Sequence, residues 1–263
     1  MKKLPFLISI PHGGDQIPEE ISNRICLSPK DLFEDSDSFS RDIFGIKGDV
    51  VALVETHIAR AIIDLNRAMD DRPPHNPDGV VKTKSCHGKP VYSSGQFPDN
   101  FLIDKLIEKY YQPYHHEIQD ILKARSGIRL ALDCHTMEAT GPAISPDPGE
   151  DRPLICLGNN QGKSCPNEWV ERLAECFRES FYLKEGDVTI NQPFAGGFIT
   201  QKYGKGPIPW IQVEMNRSLY LSEPWFDKKV LKVNPNRLEE LNVNFKRGLT
   251  NFSTTIGPLH RLT

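Results

Sequence analysis

One stretch of the chain, from Ile128 to Met137, restricts the fold more than any other. Four of the five residues from Ile128 to Leu132 are apolar, and the run contains no glycine or proline. Such a run predicts a buried central strand. The strand leads directly into Asp133 and His135, which share one face if the backbone stays extended.

An Asp and a His at the end of a buried strand suggest metal chemistry. Ligands of open α/β sheets bind outside the carboxyl ends of the strands, and these two side chains are predicted to lie there. The alternative is a structural Asp that caps a following helix beside an incidental His. This stretch alone leaves both interpretations open.

A second histidine follows another predicted strand. The short apolar run Phe6–Ile10 leads into Pro11-His12-Gly13-Gly14, where two glycines allow a sharp turn and a close approach to a ligand. A single His at a turn is usually structural. Two histidines, His12 and His135, at the ends of two predicted strands favour a shared site.

Three carboxylates are candidates for the same site. Asp35 and Asp37 could cap a helix that begins near Ser38, or either could bind a metal. Glu214 lies in the predicted strand Trp210–Arg217, on the same face as Gln212. A carboxylate buried in a strand is costly unless it is paired or functional.

Two arginines flank an apolar segment that is predicted to be buried. Buried Arg60 and Arg67 each need an anion, which could be a protein carboxylate or a substrate carboxylate. The segment Arg72–Gly79 that follows is rich in proline and predicts a loop, because it can form neither a helix nor an inner strand. Loops of this kind beside a sheet often close over a site.

Apolar residues at helical spacing predict a long helix from Asp99 or Asn100 to about Arg125. Pro113 is expected to end or kink it. Adjacent helical residues do not face each other, so the pair His115-His116 is expected on a solvent-exposed surface. Two more helices are predicted at 167–183 and 236–252.

Composition indicates a single α/β domain over residues 1–263. The chain is 38% hydrophobic and 25% charged, with no linker-like composition shift. A net charge of −3 gives no reason to expect nucleic acid or an anionic membrane as a partner. No apolar run reaches the ~18 residues that a membrane span needs, and the apolar start is too short for a signal peptide. Six scattered cysteines without a C-x-x-C pair favour a reducing cytoplasm and argue against a Cys-rich zinc site.

Six short motifs, taken together in this order, resemble the N-formylglutamate amidohydrolase family. They run from about residue 8 to 220 and are Pro11-His12-Gly13-Gly14, Asp35-Ser36-Asp37, Ile63-Asp64-Leu65-Asn66-Arg67, Asp133-Cys134-His135, Ala195-Gly196-Gly197 and Gln212-Val213-Glu214-Met215-Asn216. The family is related to zinc carboxypeptidases and to the aspartoacylase/succinylglutamate desuccinylase group. The resemblance therefore implies a phosphorylase/hydrolase-like three-layer α/β sandwich, with a central mixed sheet flanked by helices.

The resemblance also implies a zinc site. His12 and His135 match the two histidine ligands of the family, and Asp37 matches the third ligand. Asp15 is the alternative third ligand, because zinc carboxypeptidases place a carboxylate three residues after the first histidine. Two histidines and one carboxylate with an open fourth position form a catalytic zinc set.

The remaining motif residues are assigned to substrate and catalysis by the same resemblance. Asn66 and Arg67 match residues that bind the substrate carboxylate, and the glycine turn at Gly196 and Gly197 is expected to contact substrate. Arg60 resembles the arginine that polarises the scissile carbonyl. Glu214 occupies the position of the general base.

These assignments predict a zinc-dependent amidohydrolase that cleaves a small N-acyl amino acid, most simply N-formyl-L-glutamate to formate and L-glutamate. Two alternatives remain open at this point. One is a carboxypeptidase-like or other N-acyl-amino-acid hydrolase, and the other is a metal- or ligand-binding protein without hydrolysis. The presence of Glu214 and Arg60 argues against the second alternative, since binding alone requires neither a base nor a partner for an oxyanion.

Overall fold

A central sheet of six strands organises the protein. The computed structural model describes residues 3–124, 127–142, 145 and 147–256. The sheet contains β1 (Leu4–Ile10), β2 (Val50–Glu55), β3 (Leu130–Met137), β4 (Ile155–Gly158), β5 (Val188–Ile190) and β6 (Trp210–Asn216). Its spatial order is β2-β1-β3-β6-β4-β5.

The sheet is mixed, as expected from the resemblance. Strands β2, β1, β3 and β6 are parallel neighbours, whereas β4 pairs antiparallel with β6 and parallel with β5. Every residue of β3 is buried, which confirms the predicted central strand. The strand runs on through His135, which pairs with Glu214 of β6, so the sheet register alone brings these two residues together.

Helices cover both faces of the sheet and complete three layers. They are α1 (Pro29–Asp35), α2 (Ser40–Phe44), α3 (Asn100–Leu106), α4 (Gln112–Ala124), α5 (Asn167–Phe181), α6 (Phe198–Tyr203) and α7 (Pro235–Thr255). Residues Phe177, Phe245 and Phe252 of α5 and α7 belong to one hydrophobic core. Leu106 and Ile118 of α3 and α4 belong to a second core. The predicted α/β sandwich fold is confirmed. A two-stranded hairpin, β7 (Phe226–Asp227) and β8 (Lys232–Val233), lies outside the central sheet.

The long helix does not end at Pro113, which was one of the two outcomes expected there. Asp99 caps it, accepting a hydrogen bond from the Leu102 backbone N–H, and the helix passes through Pro113 to Ala124, while Arg125 lies outside the described residues. A π-type turn, Ile107–Tyr111, joins α3 to α4. This wider turn ends two residues before Pro113, and the helix continues past the proline ring.

The expectation of an exposed histidine pair is wrong for His115. Its side chain is buried, with Nδ1 at 2.9 Å from the Tyr203 hydroxyl and Nε2 at 3.0 Å from the Leu65 carbonyl oxygen. His116 is exposed. Two neighbouring helical residues point in different directions, so one of them can face the core while the other faces solvent.

All six cysteines lie within the described residues and are unpaired. In that part of the chain, no helix combines the length and apolarity that crossing a bilayer requires. The assignment of residues 1–263 to one catalytic domain stays a prediction.

Candidate active site

Three side chains from three separate segments converge at the carboxyl ends of β1 and β3. His12 and His135 place their Nδ1 atoms 3.1 Å apart. Asp37 Oδ2 lies 3.0 Å from His135 Nδ1 and 3.5 Å from His12 Nδ1. All three side chains are buried. Two nitrogens and one oxygen that face one another at these distances form a donor set suited to a divalent cation.

Each histidine is held from behind by a carboxylate. His12 Nε2 lies 2.7 Å from Asp64 Oδ1, and His135 Nε2 lies 3.2 Å from Asp133 Oδ2. A proton on each Nε2 directs both Nδ1 lone pairs at the same point. Two lone pairs 3.1 Å apart repel unless a cation lies between them, so the donor set fits a metal ion.

Local backbone structure delivers Asp37 to this point. It lies in the turn between α1 and α2, and its backbone N–H donates to the His12 carbonyl oxygen at 3.1 Å. Helix α2 begins only at Ser40, and no side chain caps it. Asp37 is therefore not a helix cap, and its carboxylate is free to face the two histidines.

Arg217 fixes the other oxygen of Asp37. Its Nη2 lies 3.2 Å from Asp37 Oδ1, its Nε donates to Thr136 Oγ1 and its Nη1 to the Glu34 carbonyl oxygen. Burial alone would raise the pKa of Asp37, but its close contacts with His12 and His135 hold it well below its usual value. Asp37 is thus an anion with one oxygen oriented toward the histidines.

Asp15, the alternative third ligand, lies elsewhere. Its side chain is exposed and lines a different hollow of about 810 Å³, together with Gly13, Arg41 and Glu55. That hollow is larger than the one at the histidines, but it contains neither His12 nor His135. The structure brings Asp37, and not Asp15, to the two histidines.

A cavity of about 400 Å³ opens over the donor set and is lined by Glu214. Gln212, on the same face of β6, donates from Nε2 to Glu214 Oε1 at 2.6 Å. Burial raises the pKa of Glu214, and the neighbouring His135 only partly opposes the rise. A carboxylate with a raised pKa beside a candidate metal site is suited to accept and return a proton.

Arg60 lines the same cavity behind the donor set. Its Nε lies 3.4 Å from Asp64 Oδ2, and its Nη1 lies 3.4 Å from the Asp35 carbonyl oxygen. Burial lowers the pKa of this guanidinium, but Asp64 and Asp35 outweigh that effect and raise it well above its usual value. Arg60 is a fixed positive charge at the wall of the cavity.

Arg67 also lines the cavity, and a protein carboxylate holds it. Its Nε donates to the Asp78 carbonyl oxygen at 2.8 Å, and its Nη2 lies 2.5 Å from Asp78 Oδ2. Asp78 belongs to the proline-rich loop, which reaches the cavity as expected. Lys82 pairs with the second oxygen of Asp78, so this carboxylate is shared and does not fully neutralise Arg67.

Asn66 does not line the cavity, in contrast to its predicted contact with substrate. Its Oδ1 accepts from the Ile199 backbone N–H at 2.8 Å, and its Nδ2 lies 3.2 Å from His135 Nε2. The side chain therefore lies behind His135, where it joins the histidine to the start of α6. Asn66 therefore supports the site. Its Oδ1 holds the start of α6, and its Nδ2 packs against His135 without a hydrogen bond, because His135 Nε2 donates its proton to Asp133.

The two glycines of the predicted turn line the cavity, but their amides differ. The Gly197 N–H donates to Gln212 Oε1 and is not available to substrate. A Cβ at Gly197 would lie 2.4 Å from Asn66 Nδ2, so packing against Asn66 requires glycine there. Gly196 has a φ of +139°, a conformation that only glycine adopts easily.

Two important residues were not assigned from sequence. Asp64 lies within the quoted Ile63–Arg67 motif, and its signal was a carboxylate between two candidate arginines. Although burial opposes it, the close contacts of Asp64 with His12 and Lys82 hold its pKa well below the usual value. Arg217 directly follows the strand of Glu214, but its partner Asp37 is 180 positions away, and no local pattern indicates that contact.

Comparisons with known proteins agree with the geometry. A family model described as N-formylglutamate amidohydrolase matches residues 4–221. An N-formylglutamate deformylase from Pseudomonas putida is 28% identical over 229 residues, which cover 84% of this chain and 83% of the relative. Its counterpart from Pseudomonas aeruginosa is 27% identical over 231 residues, with 84% of each chain covered.

Solved structures share the fold. The crystal structure of N-formylglutamate amidohydrolase from Ralstonia eutropha JMP134 superposes with a TM-score of 0.77 at 19% identity, covering 97% of this chain and 96% of the other. A gene product of Agrobacterium tumefaciens superposes with a TM-score of 0.65 at 16% identity, covering 96% and 91%. At these identities the likeness concerns the fold.

Proposed function

Because the chain belongs to the N-formylglutamate amidohydrolase family, we propose that it hydrolyses N-formyl-L-glutamate to formate and L-glutamate with zinc as its metal. The observation that carries the proposal is the cluster of His12, Asp37 and His135 directly beside Glu214 in one cavity. The curated relatives are N-formylglutamate deformylases, which supports this substrate. We also propose a cytoplasmic location, because six scattered cysteines without a C-x-x-C pair suit a reducing compartment.

Zinc is the proposed metal because two neutral imidazoles and one carboxylate match its preferred ligands. His12 and His135 would hold it through Nδ1, and Asp37 through Oδ2. Zinc would supply a lowered pKa for a bound water and polarisation of the formyl oxygen. Asp64 and Asp133 keep the imidazoles in the tautomer that leaves both Nδ1 atoms unprotonated.

Glu214 is the proposed general base and acid. It takes a proton from the attacking water and later delivers it to the nitrogen of the departing glutamate. Its Oε1 accepts from Gln212, which holds the carboxylate plane while Oε2 has no protein donor among the described residues. The raised pKa of Glu214 makes proton uptake easier, since burial disfavours its anion.

Two arginines complete the proposed mechanism. Arg60 stabilises the negative charge that develops on the formyl oxygen, because it is charged and already oriented by Asp64. Arg67 pairs with the α-carboxylate of the substrate, for which its guanidinium edge has a suitable geometry. Asp78 and Lys82 support Arg67 from behind and keep it in place when the cavity has no ligand.

The proposal is tested by measuring bound metal and formate release on the same preparation. Wild-type protein should contain about one zinc per chain and release formate from N-formyl-L-glutamate. Glu214→Gln should keep its zinc but lose ~10²–10⁴-fold in kcat, because glutamine preserves the shape but cannot accept the proton. Plasma mass spectrometry and a coupled formate assay provide the two measurements.

The control substrates are N-acetyl-L-glutamate and a dipeptide that ends in glutamate. Hydrolysis of either one in preference to the formyl compound would favour a different acyl-amino-acid hydrolase. A zinc-loaded wild-type protein that cleaves none of the three would contradict the enzymatic proposal. Glu214→Gln activity close to that of the wild type would reject the role of Glu214.

A further inference from the structure

A second arginine in the cavity resembles Arg67 in its surroundings. Arg152 lies shortly before β4, its side chain is only 5% exposed, and it lines the same cavity. A buried guanidinium needs acceptors. Asp147 supplies two, accepting from Nε and Nη2 of Arg152 at 2.7 Å each.

These bonds leave one edge of the guanidinium for another acceptor. Asp147 uses the edge formed by Nε and Nη2 of Arg152, and among the described residues Nη1 has no acceptor. The same edge of Arg67 is used by Asp78, and its Nη1 likewise has no acceptor in the described chain. Each of the two arginines therefore offers its Nη1–Nη2 edge, whose two parallel N–H groups fit a carboxylate.

The surroundings of Arg152 fix its orientation. Its guanidinium carbon lies 5.0 Å from the centroid of the Phe194 ring, and Phe194 also lines the cavity. The Arg152 backbone donates to the Ala139 carbonyl oxygen at 2.9 Å and accepts from Asn216 Nδ2 at 3.1 Å. Little side-chain freedom is left to lose on binding, which favours tight capture of an anion.

The other two arginines of the cavity are less suitable. Arg217 uses all three of its guanidinium nitrogens on Thr136, Glu34 and Asp37. Arg60 is held against Asp64, which itself contacts His12, so its charge acts next to the donor set. Arg67 and Arg152 each have one open guanidinium edge at the same cavity, so together they can pair with a ligand that has two carboxylates.

We propose that Arg152 binds the side-chain carboxylate of the substrate while Arg67 binds the α-carboxylate. The inference rests on the proposed hydrolase function and makes it more specific. It defines the substrate class as N-formylated dicarboxylic amino acids and names the residue that selects them. A neutral amide in place of the carboxylate would offer the open edge of Arg152 one acceptor oxygen and no charge. One buried N–H would then lack an acceptor, which is costly.

The test compares kcat/KM on N-formyl-L-glutamate and N-formyl-L-glutamine, which have the same shape but differ in side-chain charge. The wild type should prefer the glutamate compound by about 10- to 100-fold, the range expected for a charged hydrogen-bonded pair. Arg152→Met should lose most of that preference, because its kcat/KM should fall on the glutamate substrate and change little on the glutamine substrate. Arg152→Lys should retain part of it, because it keeps the charge without the fork.

Arg172→Met is the matched control, since Arg172 is an exposed surface arginine paired with Glu175. It should behave as the wild type on both substrates. If Arg152 only anchors its loop through Asp147, Arg152→Met should lose the same factor on both substrates, which would overturn the inference. A wild type that hydrolyses both compounds equally well would overturn it without any variant, even if Arg152→Met fails to fold.

Failure of the inference and failure of the proposed function have different signatures. If the wild type cleaves formyl compounds without discrimination, only the role of Arg152 is rejected. If the metal-loaded wild type cleaves neither compound, the proposed function is rejected together with the inference. Zinc content and melting temperature of each variant exclude loss of metal or fold as the cause.

Discussion

Two buried histidine environments in this protein lead to opposite chemistry. His12 and His135 lie at strand ends, and each has a carboxylate behind its Nε2. His115 lies under α6 between the Tyr203 hydroxyl and the Leu65 carbonyl oxygen, both neutral groups. Burial by itself lowers the pKa of both His115 and His135, because it penalises the charged form.

The neighbouring groups decide whether burial or electrostatic attraction dominates the pKa of each histidine. For His115, burial and the nearby Lys202 lower the pKa to about 4, so the ring is neutral and structural. For His135, burial acts in the same direction, but Asp133 and Asp37 outweigh it and raise the pKa well above its usual value. A site surrounded by carboxylates attracts positive charge, whether a proton or a metal ion. Among these buried histidines, the two with metal-ligand geometry are the ones that carboxylates surround.

The largest expected effect is a difference in bound zinc between a variant of His135 and a variant of His115. His135→Ala should lose most of its bound zinc and nearly all formate release, because one of three donors is missing. His115→Gln should keep both, since glutamine can donate to the Leu65 carbonyl oxygen and accept from Tyr203. The measurement is zinc per chain by plasma mass spectrometry. Equal zinc content in the two variants would show that the comparison is mistaken.

An intermediate loss of zinc affinity is expected when the carboxylate behind His135 is replaced by a neutral amide. Asp133→Asn should weaken zinc binding by ~10–100-fold, the usual range for a residue that supports a metal ligand. The other partners of Asp133 are the hydroxyls of Ser9 and Thr200, so among the described residues His135 is the one charged partner that the substitution affects. Chelator competition measures the affinity.

Asp15→Asn is the control for this prediction, because Asp15 is an exposed carboxylate near His12 in the sequence and outside the donor set. It should bind zinc as the wild type does. If Asp15→Asn loses more affinity than Asp133→Asn, the third ligand has been assigned to the wrong aspartate.

The smallest effect concerns stability in acid and belongs to His115. Its folded pKa of about 4 lies below the unfolded value near 6.5, so the folded state disfavours the proton. Its contribution is complete above pH 6.5 and is lost as the pH falls toward 4. Between pH 7 and 4.5 this should lower the unfolding free energy by about 1–3 kcal/mol. In His115→Gln this contribution to the decrease should be absent.

Urea unfolding at several pH values compares the wild type with His115→Gln. The exposed His116→Gln serves as control and should keep the wild-type slope. If His115→Gln shows the same slope as the wild type, His115 does not titrate between these limits, and its neutral environment is not the cause of acid sensitivity.

The spacing of apolar residues along the long helix predicted the helix correctly, but His115 was wrongly expected to be exposed. The helix was predicted well, and its inward stripe includes Tyr111 and Ile118, which lie four positions before and three after His115. That spacing places His115 on the buried face. The adjacent pair His115-His116 suggested a polar surface instead. A neutral histidine can nevertheless be buried when Nε2–H donates to a carbonyl oxygen and Nδ1 accepts from a hydroxyl.

The candidate site also contains some residues that local sequence patterns predict and others that depend on distant contacts. His12, His135 and Glu214 could be predicted because each lies in or directly after an apolar strand, where local periodicity indicates burial and direction. Gln212 shares the face of Glu214 for the same reason. Arg217 and Arg152 gave no such signal, since their roles depend on Asp37 and on the cavity wall, which lie far from them in sequence or depend on loop structure.

The amino-acid sequence by itself determined strands β1, β3 and β6, the long helix, the two histidines at strand ends and the family resemblance. These features rest on side-chain periodicity and short motifs, both of which are local. Only the tertiary structure decided that Asp37 and not Asp15 faces the histidines, that Asn66 lies behind His135, and that Arg152 joins Arg67 at one cavity. Those choices depend on contacts between distant segments, which are fixed when the sheet register and the loops bring charged groups together and exclude water.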